Sequence, residues 1–90
     1  MPVTKKNIMQ HELIGLEAQV VSSSEPTMLG TYGKILDETR DMLVIEHMSA
    51  AKIVPKSGST FEIKLPDGQK VVIDGNKLVG RPEERVKRKR

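Results

Sequence analysis

From Thr60 to Leu65 apolar and polar residues alternate without interruption, Phe61, Ile63 and Leu65 on one side and Thr60, Glu62 and Lys64 on the other, and Pro66-Asp67-Gly68 follows at once. Period-two alternation sends successive side chains to opposite faces, so this stretch predicts a half-buried strand closed by a turn. The turn has a mechanism: Pro presets φ, Asp bonds to following amides, and Gly accepts positive φ. Shorter versions of the pattern recur along the chain, and no apolar run exceeds four residues. That is far short of the ~20 needed to cross a bilayer as a helix, and no signal-peptide stretch opens the chain. A soluble intracellular protein is expected.

The same reading places a first strand at Leu16–Val21, further extended segments at Thr31–Asp37 and Met42–Met48, and a short fourth at Ala51–Val54 closed by Pro55. Lys70–Asp74 supplies another and Lys77–Val79 a possible last one. Glu38 to Asp41 reads as a hairpin in which Asp37 and Asp41 bond back to the backbone and Asp41 can take the left-handed conformation. Residues 4–14, with Thr4 as N-cap, have the spacing of a short helix; Arg81-Pro82-Glu83-Glu84-Arg85 looks like the start of another, with Pro in the first turn and acids near the positive end of the dipole. The expected organisation is an N-terminal segment at 1–15, a barrel at 16–80 and a basic helix or tail at 81–90.

Ninety residues make one small domain, which buries only about 60–65% of the surface its unfolded chain exposes. Many short antiparallel strands in such a domain argue for a mainly β, small antiparallel β-barrel of about six strands with short N- and C-terminal helices, because curling removes exposed edges and encloses one core. Pattern alone leaves an oligonucleotide-binding fold, an Sm-like barrel and an SH3-like barrel open.

The formal charge is +3, from 15 Lys and Arg against 12 Asp and Glu, but it is unevenly placed. Residues 1–6 carry +2, residues 81–90 carry +4, and the body between carries −3 from seven basic and ten acidic side chains. Basic ends on a mildly acidic body suit a polyanionic partner, although solubilising tails have the same composition. With no Cys there is neither a disulfide nor a thiolate metal site, and His11 and His47 stand 36 positions apart. No nucleophile, acid–base pair or metal set can be assembled. Asp37, Glu38 and Asp41 read as turn acids, and the serines lack the strained setting that activates a nucleophile. With only Tyr32 and Phe61 as aromatics, any RNA contact would rest on phosphates, 2′-hydroxyls and shape rather than on base stacking.

The segments His11-Glu-Leu-Ile-Gly-Leu16, Gly33-Lys-Ile-Leu-Asp-Glu-Thr39, Lys52-Ile-Val-Pro-Lys56 and Val71-Val-Ile-Asp-Gly-Asn-Lys-Leu-Val-Gly-Arg-Pro-Glu-Glu-Arg85 stand in an order that resembles the archaeal ribonuclease P protein component 1 family, whose eukaryotic relatives belong to ribonucleases P and MRP. The resemblance spans roughly residues 8–88. Lacking the long N-terminal extension of the eukaryotic members, the chain is expected to be the minimal archaeal form. The resemblance implies an Sm-like barrel that is a noncatalytic subunit, with the catalytic RNA and its magnesium ions removing the 5′ leader from precursor tRNA. It implies no cofactor on this chain, a cytoplasmic location, and a zinc-binding protein subunit as partner. That partner would meet Ile8 to Leu13 (Ile8, Met9 and Leu13 foremost), Tyr32 to Leu36 (Tyr32, Lys34, Leu36) and Glu84 to Lys87. For RNA phosphates the main candidates are Lys5, Lys6, Arg81, Arg85, Lys87, Arg88, Lys89 and Arg90, with Lys52 and Lys56 around Pro55 as second choices. A ribosomal or chromatin-type barrel that binds phosphate backbones, and a pure protein-interaction module, are the alternative readings.

Overall fold

The computed structural model describes residues 13–80. Six antiparallel strands form one sheet: β1 (Glu17–Ser23), β2 (Tyr32–Glu38), β3 (Met42–His47), β4 (Ala50–Pro55), β5 (Ser59–Lys64) and β6 (Lys70–Asp74), ordered β4-β3-β2-β1-β5-β6. Alternation carries through to burial. Phe61 and Ile63 of β5 point inward, as do Ala18 and Val20 of β1 and Leu43 and Ile45 of β3.

The connection between β4 and β5 shows how strongly the sheet curls. In a flat sheet these strands would lie four spacings apart, about 19 Å at ~4.8 Å each. The path from Pro55 to Ser59 is four residues long and reaches at most about 14 Å when extended. It is also tightened by a bond from Ser59 N–H to the Lys56 carbonyl at 3.3 Å. The strands therefore wrap around a common interior, helped by register shifts between Val20 and Ser22 and between Ile35 and Asp37, where bulges bend β1 and β2. The result is the expected small barrel, although among the described residues no ladder joins β4 to β6. The core draws on every strand, with Val54 from β4 and Ile73 from β6 meeting Val20, Ile35, Ile45 and Phe61.

Two ends of the described chain plug this core. Leu13 and Leu78 are both fully buried within it. Leu13 was expected to face a protein partner; its side chain is instead used up by the barrel interior. Residues 13–16 make a turn, with Leu16 N–H bonded to the Leu13 carbonyl at 3.1 Å, and the rest of the expected N-terminal helix, like the helix from Arg81 onward, lies outside the described residues.

Three local expectations need correction. No strand forms at Lys77–Val79: Gly75–Leu78 is a 3-10 turn begun by the Asp74 side chain, which accepts from Asn76 N–H at 3.0 Å. A Cβ on Gly75 would stand 1.9 Å from the Lys56 carbonyl oxygen, so the chain packs backbone against backbone there and then drops Leu78 into the core. Asp41 does not adopt positive φ; among the described residues other than glycine, those that do are Met48 (φ 52°) and Ser49 (φ 67°), which link β3 to β4 through a two-residue turn. And Glu38, expected as an exposed turn acid, is buried.

Candidate nucleic-acid interface

Glu38 turns inward because of the bulge in β2. Strict alternation after Ile35 would leave Asp37 inside and Glu38 outside; the extra residue at Leu36 reverses the faces, so that Leu36 and Asp37 are exposed and Glu38 is buried. The Glu38 carboxylate then meets Lys56, whose backbone N–H is held by the Asp41 carbonyl at 2.8 Å just after β4 ends. Lys56 Nζ lies 2.7 Å from Glu38 Oε2, and both side chains are fully shielded from solvent. The ammonium also donates to the carbonyls of Thr39 (2.7 Å), Arg40 (3.3 Å) and Gly80 (3.0 Å). A buried charge is tolerated only when paired and hydrogen-bonded, and this one is both. Lys56, a second-choice phosphate contact from its sequence setting, is thus an internal strut out of reach of any polyanion.

That strut brings the two ends of the barrel together. Leu13 N–H donates to the other oxygen of Glu38 at 3.4 Å, and Gly80 N–H donates to the Arg40 carbonyl at 2.7 Å. One buried ion pair therefore touches the point where the N-terminal segment enters the barrel, the point where the C-terminal segment leaves it, and the β2–β3 turn between. Lys5, Lys6, Ile8 and Met9 precede the first point, and Arg81, Glu84, Arg85, Lys87, Arg88, Lys89 and Arg90 follow the second; all lie outside the described residues.

The remaining candidates are in view. Tyr32, Lys34 and Leu36 are exposed along β2, Tyr32 and Leu36 as large apolar side chains at 60% and 42%. Lys34 stands opposite Glu46 on β3 and Glu17 on β1. Gly33 between them is held tightly: a Cβ there would stand 1.7 Å from the Glu46 carbonyl oxygen, and φ is +150°. The Tyr32 ring meets the His47 ring edge-on, centroids 5.3 Å apart, and Tyr32 N–H donates to His47 Nδ1 at 3.2 Å. His47 is thereby occupied in fixing the end of β2. Lys52 is half-buried on β4, paired in register with Ile45 and distant in sequence order from either chain end.

A shallow cleft of about 270 Å³ crosses the outer face of β6, β5, β1 and β2, with Glu17, Gln19, Tyr32, Glu62, Lys64 and Lys70 on its walls. Lys70 Nζ is 3.9 Å from Glu62 Oε1, an exposed contact of little energetic weight. The cleft carries both signs of charge, so it is not a focused anion site. Arg40, like Lys64, Lys70 and Lys77, is a cation that reading the sequence did not single out: it is exposed in the β2–β3 turn, and its backbone carbonyl accepts from both Gly80 N–H and Lys56 Nζ. Nothing local marks it out, because its neighbours across space lie 16 and 40 residues further along the chain.

Comparison with known proteins places these features in context. A family model described as ribonuclease P/MRP, subunit p29 matches residues 6–88. The chain is 51% identical over 87 residues to the ribonuclease P protein component 1 of Pyrococcus furiosus, covering 97% of this chain and 68% of that protein. It is equally 51% identical over 90 residues to the protein of the same name from Thermofilum pendens, covering 99% and 96%. Among solved structures, Mth11, titled a homologue of human RNase P protein Rpp29, superimposes with a TM-score of 0.62 at 43% identity, covering 83% of this chain and 97% of that one.

Proposed function

We propose, for a chain that belongs to the ribonuclease P/MRP subunit p29 family, that it serves ribonuclease P as a noncatalytic RNA-binding subunit. The single observation that carries the assignment is the match across residues 6–88, which takes in the barrel, Lys6 before it and the basic segment after it as far as Arg88. The chain is a ribonuclease P protein. In the proposed mechanism the RNA of the holoenzyme, with its magnesium ions, cleaves the 5′ leader from precursor tRNA in the cytoplasm, and this chain supports the fold of that RNA.

The physical basis is electrostatic. Each phosphate neutralised by a Lys or Arg releases condensed counterions, which supplies affinity without reading sequence. Lys5, Lys6, Arg81, Arg85 and the run Lys87 to Arg90 are the groups assigned to that contact. Arg is suited to phosphate because its planar fork can donate two parallel bonds. The exposed outer face of β2, with Tyr32, Lys34 and Leu36, together with Ile8, Met9 and Glu84, is assigned to a zinc-binding protein subunit of the same particle.

Reconstitution tests this directly. The catalytic RNA and the other protein subunits are assayed for precursor tRNA cleavage across a magnesium series, with and without this chain. The expected result is that omission raises the magnesium requirement and slows cleavage. Equal activity at every magnesium concentration would remove the assignment.

A further inference from the structure

We propose that the protein-partner surface runs off β2, across β3 and onto β4, where an apolar stripe takes one amphipathic helix whose apolar side chains are flanked by Lys or Arg. The proposal rests on the partner role assigned to the outer face of β2 above, and adds two strands and the chemistry of the docking element to it.

The stripe follows from register. Leu43 and Ile45 of β3 and Val54 of β4 face the core, so Met42, Val44, Ile53 and Pro55 face outward. Val44 is paired with Ile53 and Met42 with Pro55, and the bulge that turns Glu38 inward leaves Leu36 exposed on β2 beside them. Three strands thus contribute one contiguous apolar face, on which Ile53 is 58% and Leu36 42% exposed. Single apolar side chains on a surface need no account, but a contiguous patch rimmed by polar groups marks an interaction site. Among the described residues β4 pairs only with β3, so the stripe ends at an edge, and a helix laid over such an edge is one of the ways proteins cover it.

Spacing and charge select the occupant. From β2 to β4 is two strand spacings, about 10 Å, which equals the rise of about seven helical residues. Apolar positions i, i+3 or i+4 and i+7 of one helix therefore fall over Leu36, Val44 and Ile53 in turn. Acids lead on the rim. Asp37 is exposed opposite Val44, Glu46 is exposed two residues beyond Val44 on the same face, and Asp41 is exposed just before Met42. Against them stand Arg40 and Lys34, the latter bracketed in register by Glu17 and Glu46. Glu46 makes no ion pair among the described residues, so its carboxylate is available to a partner. An apolar face with this rim repels a phosphate backbone and suits a protein segment that carries basic residues beside its apolar ones.

The test uses the full chain and the zinc-binding protein subunit of ribonuclease P, with the dissociation constant measured by calorimetry at low and high salt. Ile53→Arg is expected to weaken binding about tenfold or more, as loss of a central apolar anchor does. Val72→Arg is the control, because Val72 is equally exposed, at 60%, on the outer face of the opposite edge strand β6; binding should stay at the wild-type value. Both side chains point away from the core, so the melting temperature should hold in both variants. Glu46→Lys should weaken binding about threefold to tenfold at low salt and less at high salt, since ions screen exposed charges. If Ile53→Arg binds as the wild type does while Leu36→Arg weakens binding, the extension onto β3 and β4 is refuted and the assignment of β2 survives. If neither weakens it, both are refuted. Equal weakening by Val72→Arg, or full affinity in Glu46→Lys, would overturn the proposed docking chemistry. A wild-type dimer in sedimentation that Ile53→Arg makes monomeric would give the stripe to a second copy of the chain and end the proposal.

Discussion

Replacing Lys56 by Met keeps most of the length of the unbranched side chain and removes its charge, which isolates the contribution of the buried ion pair. In the folded protein the ammonium compensates the Glu38 carboxylate at 2.7 Å and donates to three carbonyls, all without solvent access. The variant leaves a carboxylate inside the barrel without its counter-charge, and breaking such a pair costs about 3–5 kcal/mol. Native domains hold only about 5–15 kcal/mol in total, so the loss should be a large share of the stability of this one. In guanidinium chloride, with a slope near ~2 kcal/mol/M for a domain of this size, the unfolding midpoint should fall by roughly 1.5–2.5 M. The double variant Lys56→Met with Glu38→Met removes the orphaned carboxylate as well, and should regain at least ~1.5 kcal/mol relative to Lys56→Met alone. Equilibrium unfolding of the wild type, both single variants and the double variant closes the cycle. A Lys56→Met midpoint within ~0.5 M of wild type, or strictly additive single effects, would refute the claim that this pair is buried and coupled.

Gly33→Ala should be severely destabilising, by about 3 kcal/mol or more, because the added Cβ meets the Glu46 carbonyl on the next strand; hydrogen exchange should show the β2–β3 ladder opening first. Ser49→Gly should raise the melting temperature by several degrees, since glycine adopts the left-handed conformation of the β3–β4 turn without the Cβ penalty of about 1 kcal/mol, and calorimetry would detect it. Deleting residues 86–90 removes four basic side chains and should shallow the salt dependence of RNA binding by up to about 0.7–0.9 for each that meets a phosphate; a slope equal to that of the full chain would exclude this tail from the contact.

The strands were legible because alternation is a local code. Phe61, Ile63 and Leu65 could only share a face, and Pro66-Asp67-Gly68 turns the chain as its residues require: Gly68 N–H bonds the Leu65 carbonyl at 2.9 Å and Asp67 accepts from Gln69 N–H at 2.9 Å. The β3–β4 turn escaped because Met48-Ser49 carries none of the Gly or Asn that ordinarily marks two positive φ values; the six-residue ladder on either side imposes the conformation instead. Lys77–Val79 misled for a related reason: its two adjacent apolar residues are compatible with a short strand, but Leu78 is needed as a plug and Gly75 allows the backbone to close in.

Charge told less than pattern did. Lys56 looks in sequence like any lysine beside a proline, and Glu38 like any turn acid, because the bulge that swaps faces in β2 and the partner 18 residues away leave no local trace. Composition, period and the separation of basic ends from an acidic body follow from the order of the amino acids, since each depends on neighbours a few positions apart. Which cation is buried and which is free, and that the two ends and the Arg40 turn share one buried ion pair, was decided only when the sheet curled, because burial is a property of segments that meet across the core.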